Sequence, residues 1–213
     1  MLHTCARVCR PAGRLFHRHA AMTALVLASC QVQAADLLYT FDSGAQGFVA
    51  NGATLVHQPG FLSLRDIDDS DMVVVLPAAD LGDWSRFVDG TFAFDAINLN
   101  GAATDWGTFG TLRIESGSTV VERDVVPQAA PAAQWTTYRT TLDGATWASV
   151  LGNVTRVTLM LESHIGWDST SGYELNGLDN VRVSAVPEPQ AWALGLVGVA
   201  LVAGMARRRQ RAA

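Results

Sequence analysis

The stretch Gly90-Thr91-Phe92-Ala93-Phe94-Asp95 sets Phe92 and Phe94 against Thr91, Ala93 and Asp95 with a period of two. Side chains alternate between the faces of an extended strand, so this pattern predicts a strand with one face in a core. The alternation recurs in both directions along the chain. Val157, Leu159 and Leu161 interleave with Thr158, Met160 and Glu162, and Val181 and Val183 with Arg182 and Ser184. Near the start, Leu37, Tyr39 and Phe41 interleave with Leu38, Thr40 and Asp42. Further strands are expected over Phe61 to Arg65, Met72 to Leu76, Phe109 to Glu115, Thr119 to Val126 and Trp135 to Leu142. Turn dipeptides punctuate the spaces, among them Asn51-Gly52, Asp89-Gly90, Asn100-Gly101, Asp143-Gly144 and Asn176-Gly177. Ala145 to Leu151 suits a short helical turn, and Val126 to Ala133, rich in Ala and Pro, suits a loop. Many short strands at such spacing predict an antiparallel sandwich or barrel.

Charge divides the 213 residues into three pieces. All 15 basic residues are Arg, against 20 Asp and Glu, for a formal net charge of −5. Arg7, Arg10, Arg14 and Arg18 lie near the start, and Arg207, Arg208, Arg209 and Arg211 at the finish. The stretch from Asp36 to Val186 is left with 7 Arg against 19 carboxylates, a balance of −12. A nucleic-acid binder needs a basic footprint, so no nucleic-acid partner is expected. The three cysteines, Cys5, Cys9 and Cys30, all precede this stretch, which excludes a disulfide scaffold or a Cys-ligated zinc site within it.

Both ends read as addresses. Residues 1–35 have the layout of a secretory signal peptide: a basic region, an apolar run from Ala20 to Ser29, then the small-residue segment Val32-Gln33-Ala34-Ala35. Signal peptidase is expected to cut after Ala34 or Ala35. Leu27-Ala28-Ser29-Cys30 offers an alternative, because it also resembles a lipobox in which Cys30 is lipidated and becomes the mature N-terminus. At residues 187–213, Pro187-Glu188-Pro189 precedes an apolar run from Ala191 to Ala206 and then the Arg cluster. Sixteen helical residues reach only about 24 Å, short of a hydrocarbon core about 30 Å thick. A short membrane anchor with its arginines on the cytoplasmic side is the reading this pattern supports.

This tail resembles the PEP-CTERM sorting signal, on the combination of Pro187-Glu188-Pro189, the short apolar helix and Arg207-Arg208-Arg209. The resemblance implies an exosortase-type processing enzyme as partner and a Gram-negative host that makes exopolysaccharide. It further implies transient inner-membrane anchoring through the helix, then delivery to the envelope or matrix.

A second resemblance covers residues 36–186. Phe41-Asp42-Ser43-Gly44, Gly47-Phe48, Leu81-Gly82-Asp83-Trp84-Ser85 and Gly90-Thr91-Phe92-Ala93-Phe94-Asp95 follow one another as in a laminin B (domain IV) module. Trp135, Tyr138 and Leu142 echo a W-x-x-Y-x-x-x-L strand, and Gly177-Leu178-Asp179-Asn180-Val181-Arg182-Val183 resembles the closing strand. The resemblance implies a jelly-roll-like antiparallel β-sandwich and a non-catalytic role in matrix or adhesion. Asp89 departs from the pattern, since the family usually carries a second Gly beside Gly90.

Candidate chemistry is sparse. Asp66, Asp68 and Ser70 match the first, third and fifth ligands of an EF-hand, but Asp71 and Pro77 stand where Gly and Glu are required, so Asp66 to Asp71 reads as a solvated acidic turn. By analogy with carbohydrate-binding jelly rolls, a structural Ca²⁺ is expected between Asp42, after the first strand, and Asp179, entering the last. Exposed aromatic rings stack on sugars while buried ones fill cores. Trp135 begins a strand and is expected in the core. Trp106 beside Asp105, and Trp167 beside Asp168 with Tyr173 nearby, lie in loops and are the candidate ligand contacts. Between Asp36 and Val186 there are only His57 and His164 and no Cys, and no G-x-S-x-G or H-E-x-x-H motif occurs. The expectation is a non-enzyme that binds carbohydrate or other matrix components. The alternatives are a purely structural matrix component and a polysaccharide hydrolase.

Overall fold

The computed structural model describes residues 36–126, 130–165 and 173–186, with positions 195 and 198. Cys30, the signal segment, Trp167, Asp168, Pro187, Glu188, Pro189 and the arginines at 207–209 lie outside the described residues. One compact unit runs from Ala34 to Val186. Among the described residues no helix is long and apolar enough to cross a membrane.

The Ala34–Val186 unit is an all-β, jelly-roll-like sandwich of two antiparallel sheets. The first sheet runs in the order β3 (Ala53–Gln58), β4 (Phe61–Asp66), β11 (Leu175–Ser184), β6 (Thr91–Asn98), β9 (Thr136–Thr141), and β1 (Leu37–Tyr39) also pairs with β11. The second runs β2 (Val49–Asn51), β5 (Val73–Val75), β10 (Arg156–Met160), β7 (Thr111–Ser116), β8 (Thr119–Asp124). An α-helix, α1 (Gly144–Leu151), starts where the Asp143 carboxylate accepts the Thr146 N–H at 2.9 Å, an N-cap of ordinary kind.

Period two decides what is buried. Phe92, Phe94, Leu62, Leu64, Val181 and Val183 of the first sheet share one hydrophobic cluster with Val74, Leu112, Ile114, Val157 and Leu159 of the second. Phe94 is ringed by Phe92, Phe109 and Tyr138, with centroids 5.4–6.3 Å apart. Trp84 and Trp147 are also buried there. At 22.7 kDa for the whole chain, a unit of this length supplies its own core without disulfides.

The chain changes sheets between β2 and β3 with Gly52 alone intervening. Gly52 has φ +66°, and a Cβ there would fall 2.3 Å from the Asp71 carbonyl oxygen, so only glycine turns this corner. Asp89 shows why its departure from the family pattern is tolerated. It takes the left-handed conformation itself, φ +61°, and its carboxylate accepts the Gly144 N–H at 2.9 Å.

Three expectations need correction. Trp135 is 45% exposed, not in the core, because Tyr138 and Leu142 point inward and an odd separation puts Trp135 on the opposite face. Phe41 is buried but lies past the end of β1 in a turn with φ +52°, so the alternation continues without a strand. The acidic turn is solvated only from Ile67 onward: Asp66 ends β4 pointing inward and is 3% exposed.

Candidate functional site

At one end of the sandwich, loops after β6 and β10 bring together residues far apart in sequence. The Trp106 N–H donates to the Ser163 carbonyl at 2.9 Å. Asp105 Oδ1 lies 2.8 Å from His164 Nδ1 and accepts the Ile165 N–H at 3.0 Å. The Ile165 N–H and the His164 ring hold the Asp105 carboxyl below the usual carboxylate range. Trp106 is thereby presented 38% exposed on a loop whose neighbours are pinned. The chemistry on offer at this end is a partly exposed indole, a carboxylate and an imidazole, groups that stack and hydrogen-bond.

Tyr173, the third described member of the predicted set, is held by Asn100 and Arg65. Its carbonyl accepts a hydrogen bond from the Asn100 amide, and the Arg65 guanidinium covers its ring at 3.9 Å from the centroid.

Beneath this loop end lies a buried acidic pair that the sequence reading missed. Glu162, just past β10, accepts the Met72 N–H at 2.7 Å. Glu174, just before β11, accepts the Ser163 N–H at 2.8 Å and the His164 N–H at 3.1 Å, and also bonds the Ser163 hydroxyl and the Asn176 amide. Burial pushes Glu162 up to about 7, helped by the charges of Glu174, Asp66 and Asp71. Burial likewise raises Glu174 and Asp66. With 6% and 2% of their surface exposed, Glu162 and Glu174 brace the loop and give a substrate little approach. Alternation along Val157 to Glu162 correctly separates Glu162 from Leu161, but strand period alone carries no sign that its carboxylate is covered.

Asp42 and Asp179 do approach each other at the junction of β1 and β11. Burial raises Asp179, and the charges of Asp95 and Asp42 add to the effect. Both Asp179 oxygens engage Asn180, its N–H at 2.6 Å and its amide at 3.0 Å, while Asp42 accepts the Thr40 hydroxyl at 2.7 Å. Among the described residues no group of three or more His, Cys, Asp or Glu is placed to hold a metal ion.

On the outer face of the second sheet a shallow groove of about 280 Å³ is lined by Asn51, Arg113, Glu115, Glu122, Arg156 and Thr158, with both polar and apolar neighbours. Arg113 spans Glu115 at 2.9 Å and Glu122 at 3.3 Å. Its lining holds no aromatic ring, and its charges are largely committed to one another.

Comparison with known proteins bears on both parts of the chain. Residues 185–210 match the PEP-CTERM protein-sorting motif. No curated protein matches the sequence. Among solved structures, the chain resembles an exo-β-agarase (16% identity, TM-score 0.53, 72% of this chain and 25% of that one). It also resembles the L4b domain of human laminin alpha-2 (9% identity, TM-score 0.53, 72% of this chain and 98% of that one). A family 29 carbohydrate-binding module matches over 73% of this chain and 99% of that one, at 14% identity and TM-score 0.47. The chain spans about a quarter of the agarase, so that likeness concerns one of its parts. At these identities the neighbours show the fold alone. The molecule is a jelly-roll-like β-sandwich with a fold similar to that of the laminin L4b domain. Its chain continues into an exosortase sorting signal, which marks it for processing by an exosortase-type enzyme, export and sorting to the envelope or extracellular space.

Proposed function

We propose that this protein is a non-catalytic, polysaccharide-binding component of the envelope or exopolysaccharide matrix of a Gram-negative bacterium. The C-terminal helix holds it transiently in the inner membrane until it is processed. The observation that carries the binding role is the exposed indole of Trp106, on a loop whose backbone is pinned to Ser163 and whose Asp105 is bonded to His164. The sorting motif supports the destination. The balance of −12 between Asp36 and Val186 disfavours acidic polymers, so a neutral glycan is the favoured class.

Binding of the Ala34–Val186 unit to a glycan array tests the reading. Trp106→Ala should weaken any glycan signal about fivefold while leaving stability within about 0.5 kcal/mol, since an exposed ring is lost without a core cavity. Absence of binding to every neutral glycan would remove the reading in favour of a purely structural matrix component. Release of reducing sugar from matrix polysaccharide, abolished by a carboxylate-to-amide change, would instead establish a hydrolase.

Calcium is tested separately. Asp95 stands with Asp42 and Asp179, but among the described residues no three acidic or imidazole groups are arranged to hold a metal ion, so chelation by EDTA is expected to leave the melting temperature unchanged at fixed pH. A fall of several degrees would establish a structural Ca²⁺ at Asp42 and Asp179.

A further inference from the structure

The outer face of the first sheet carries a second aromatic feature. Phe61 of β4 and Trp135, immediately before β9, reach toward each other across β11 and β6, with ring centroids 5.5 Å apart and planes at 74°. Trp135 lies low over the backbone. A Cβ on Gly177 would fall 3.0 Å from its Cη2 atom and 2.7 Å from Ile97 Cγ2, so the glycine is the floor on which the indole rests. The ring nevertheless keeps 45% of its surface exposed.

A row of fixed polar groups borders this ring. Asp95 accepts the Thr137 hydroxyl at 2.7 Å and the Asn180 amide at 2.9 Å, and faces Arg182 Nη1 at 3.6 Å. Asn180 reaches this position because the register of β11 shifts between Asp179 and Arg182, where Asn180 takes φ +47°. An apolar ring face beside oriented donors and acceptors is the complement of a pyranose, which has an apolar face and a rim of hydroxyls.

We propose that this face is a second glycan site, in which a neutral pyranose stacks on Trp135 and hydrogen-bonds to the Asp95–Thr137–Arg182 row. The proposal rests on the polysaccharide-binding reading above and adds a site remote in sequence from Trp106. Two sites on one domain would give a polysaccharide chain two points of attachment, raising avidity without any new contact.

Affinity electrophoresis of the Ala34–Val186 unit tests it, using native gels containing agarose or hydroxyethyl cellulose, with alginate as an acidic control. The wild type should be retarded by a neutral polymer and not by alginate. Trp135→Ala should weaken that retardation about tenfold, Trp135→Phe should retain part of it, and Trp106→Ala should leave the Trp135-dependent part in place. Equal retardation of Trp135→Ala and wild type would overturn the second site while leaving the polysaccharide reading intact. No retardation of the wild type by either neutral polymer would overturn both. Conversion of a dimer to a monomer by Trp135→Ala, with retardation unchanged, would overturn the site in favour of self-association.

Discussion

Gly90→Ala should destabilise the sandwich by on the order of 3 kcal/mol, read as a lowered urea midpoint with an unchanged slope. Gly90 stands at the start of β6, beneath the last residue of β11. A Cβ there would fall 2.2 Å from the Ser184 carbonyl oxygen and 2.9 Å from that of Phe87. Both obstacles are backbone and cannot rotate away. Relief requires β6 and β11 to part where Thr91 pairs with Ser184, and it also disturbs the bond from the Leu142 N–H to the Gly90 carbonyl, 2.9 Å long. Gly107 supplies the control: nothing lies within 4 Å of a Cβ placed there, so Gly107→Ala should change stability by no more than about 0.5 kcal/mol. Equal midpoints for the two variants would sink the close-approach account of this glycine.

Glu162→Gln should remove much of the pH dependence of stability. The carboxyl titrates at about 7 in the folded chain against an ordinary value of 4.5, because burial and the neighbouring charges of Glu174, Asp66 and Asp71 oppose its ionisation. The folded state therefore holds its proton where the unfolded chain has lost it. Stability is highest below about pH 4.5 as far as this group is concerned, falls as pH rises, and is fully reduced above about pH 7. The shift alone would correspond to roughly 3 kcal/mol, and solvent screening near the end of the sandwich brings the expected effect to about 2 kcal/mol. Gln keeps an oxygen to accept the Met72 N–H and never ionises. The variant should accordingly melt above wild type at pH 8 and level with it at pH 4. Glu174 and Asp66 shift in the same direction, so a shallower slope of the same sign should survive in the variant. A wild-type melting temperature that climbs from pH 4 to pH 8 would contradict the assignment.

The candidate sites were unequally legible. Asp105 and Trp106 could be picked out because an aromatic beside a carboxylate in a Gly-rich loop is a local feature. Their anchoring by Ser163, His164 and Ile165 was not, since those residues lie nearly sixty positions away and meet them only where two loops close one end of the sandwich. The Glu162–Glu174 pair was hidden for the same reason: strand alternation places each carboxylate on a face, and only the packing of the two sheets decides that both are covered. Trp135 shows the converse. Its separation of three from Tyr138 already put the two on opposite faces of β9, so its exposure was readable from period two. The expectation of a core position rested instead on its place at the start of a strand.

The sequence by itself determined three things: an antiparallel β architecture, a Cys-free acidic domain, and a sorting address at the C-terminus. Each follows from local pattern, because alternation, charge and a short motif need no partner to be recognised. The tertiary structure alone decided which side chains meet on each outward face. Phe61, Asp95, Trp135, Gly177 and Arg182 come from four separate segments and become neighbours only through the pairing of β4, β11, β6 and β9. Period two assigns a residue to a face; the register between strands decides what stands beside it.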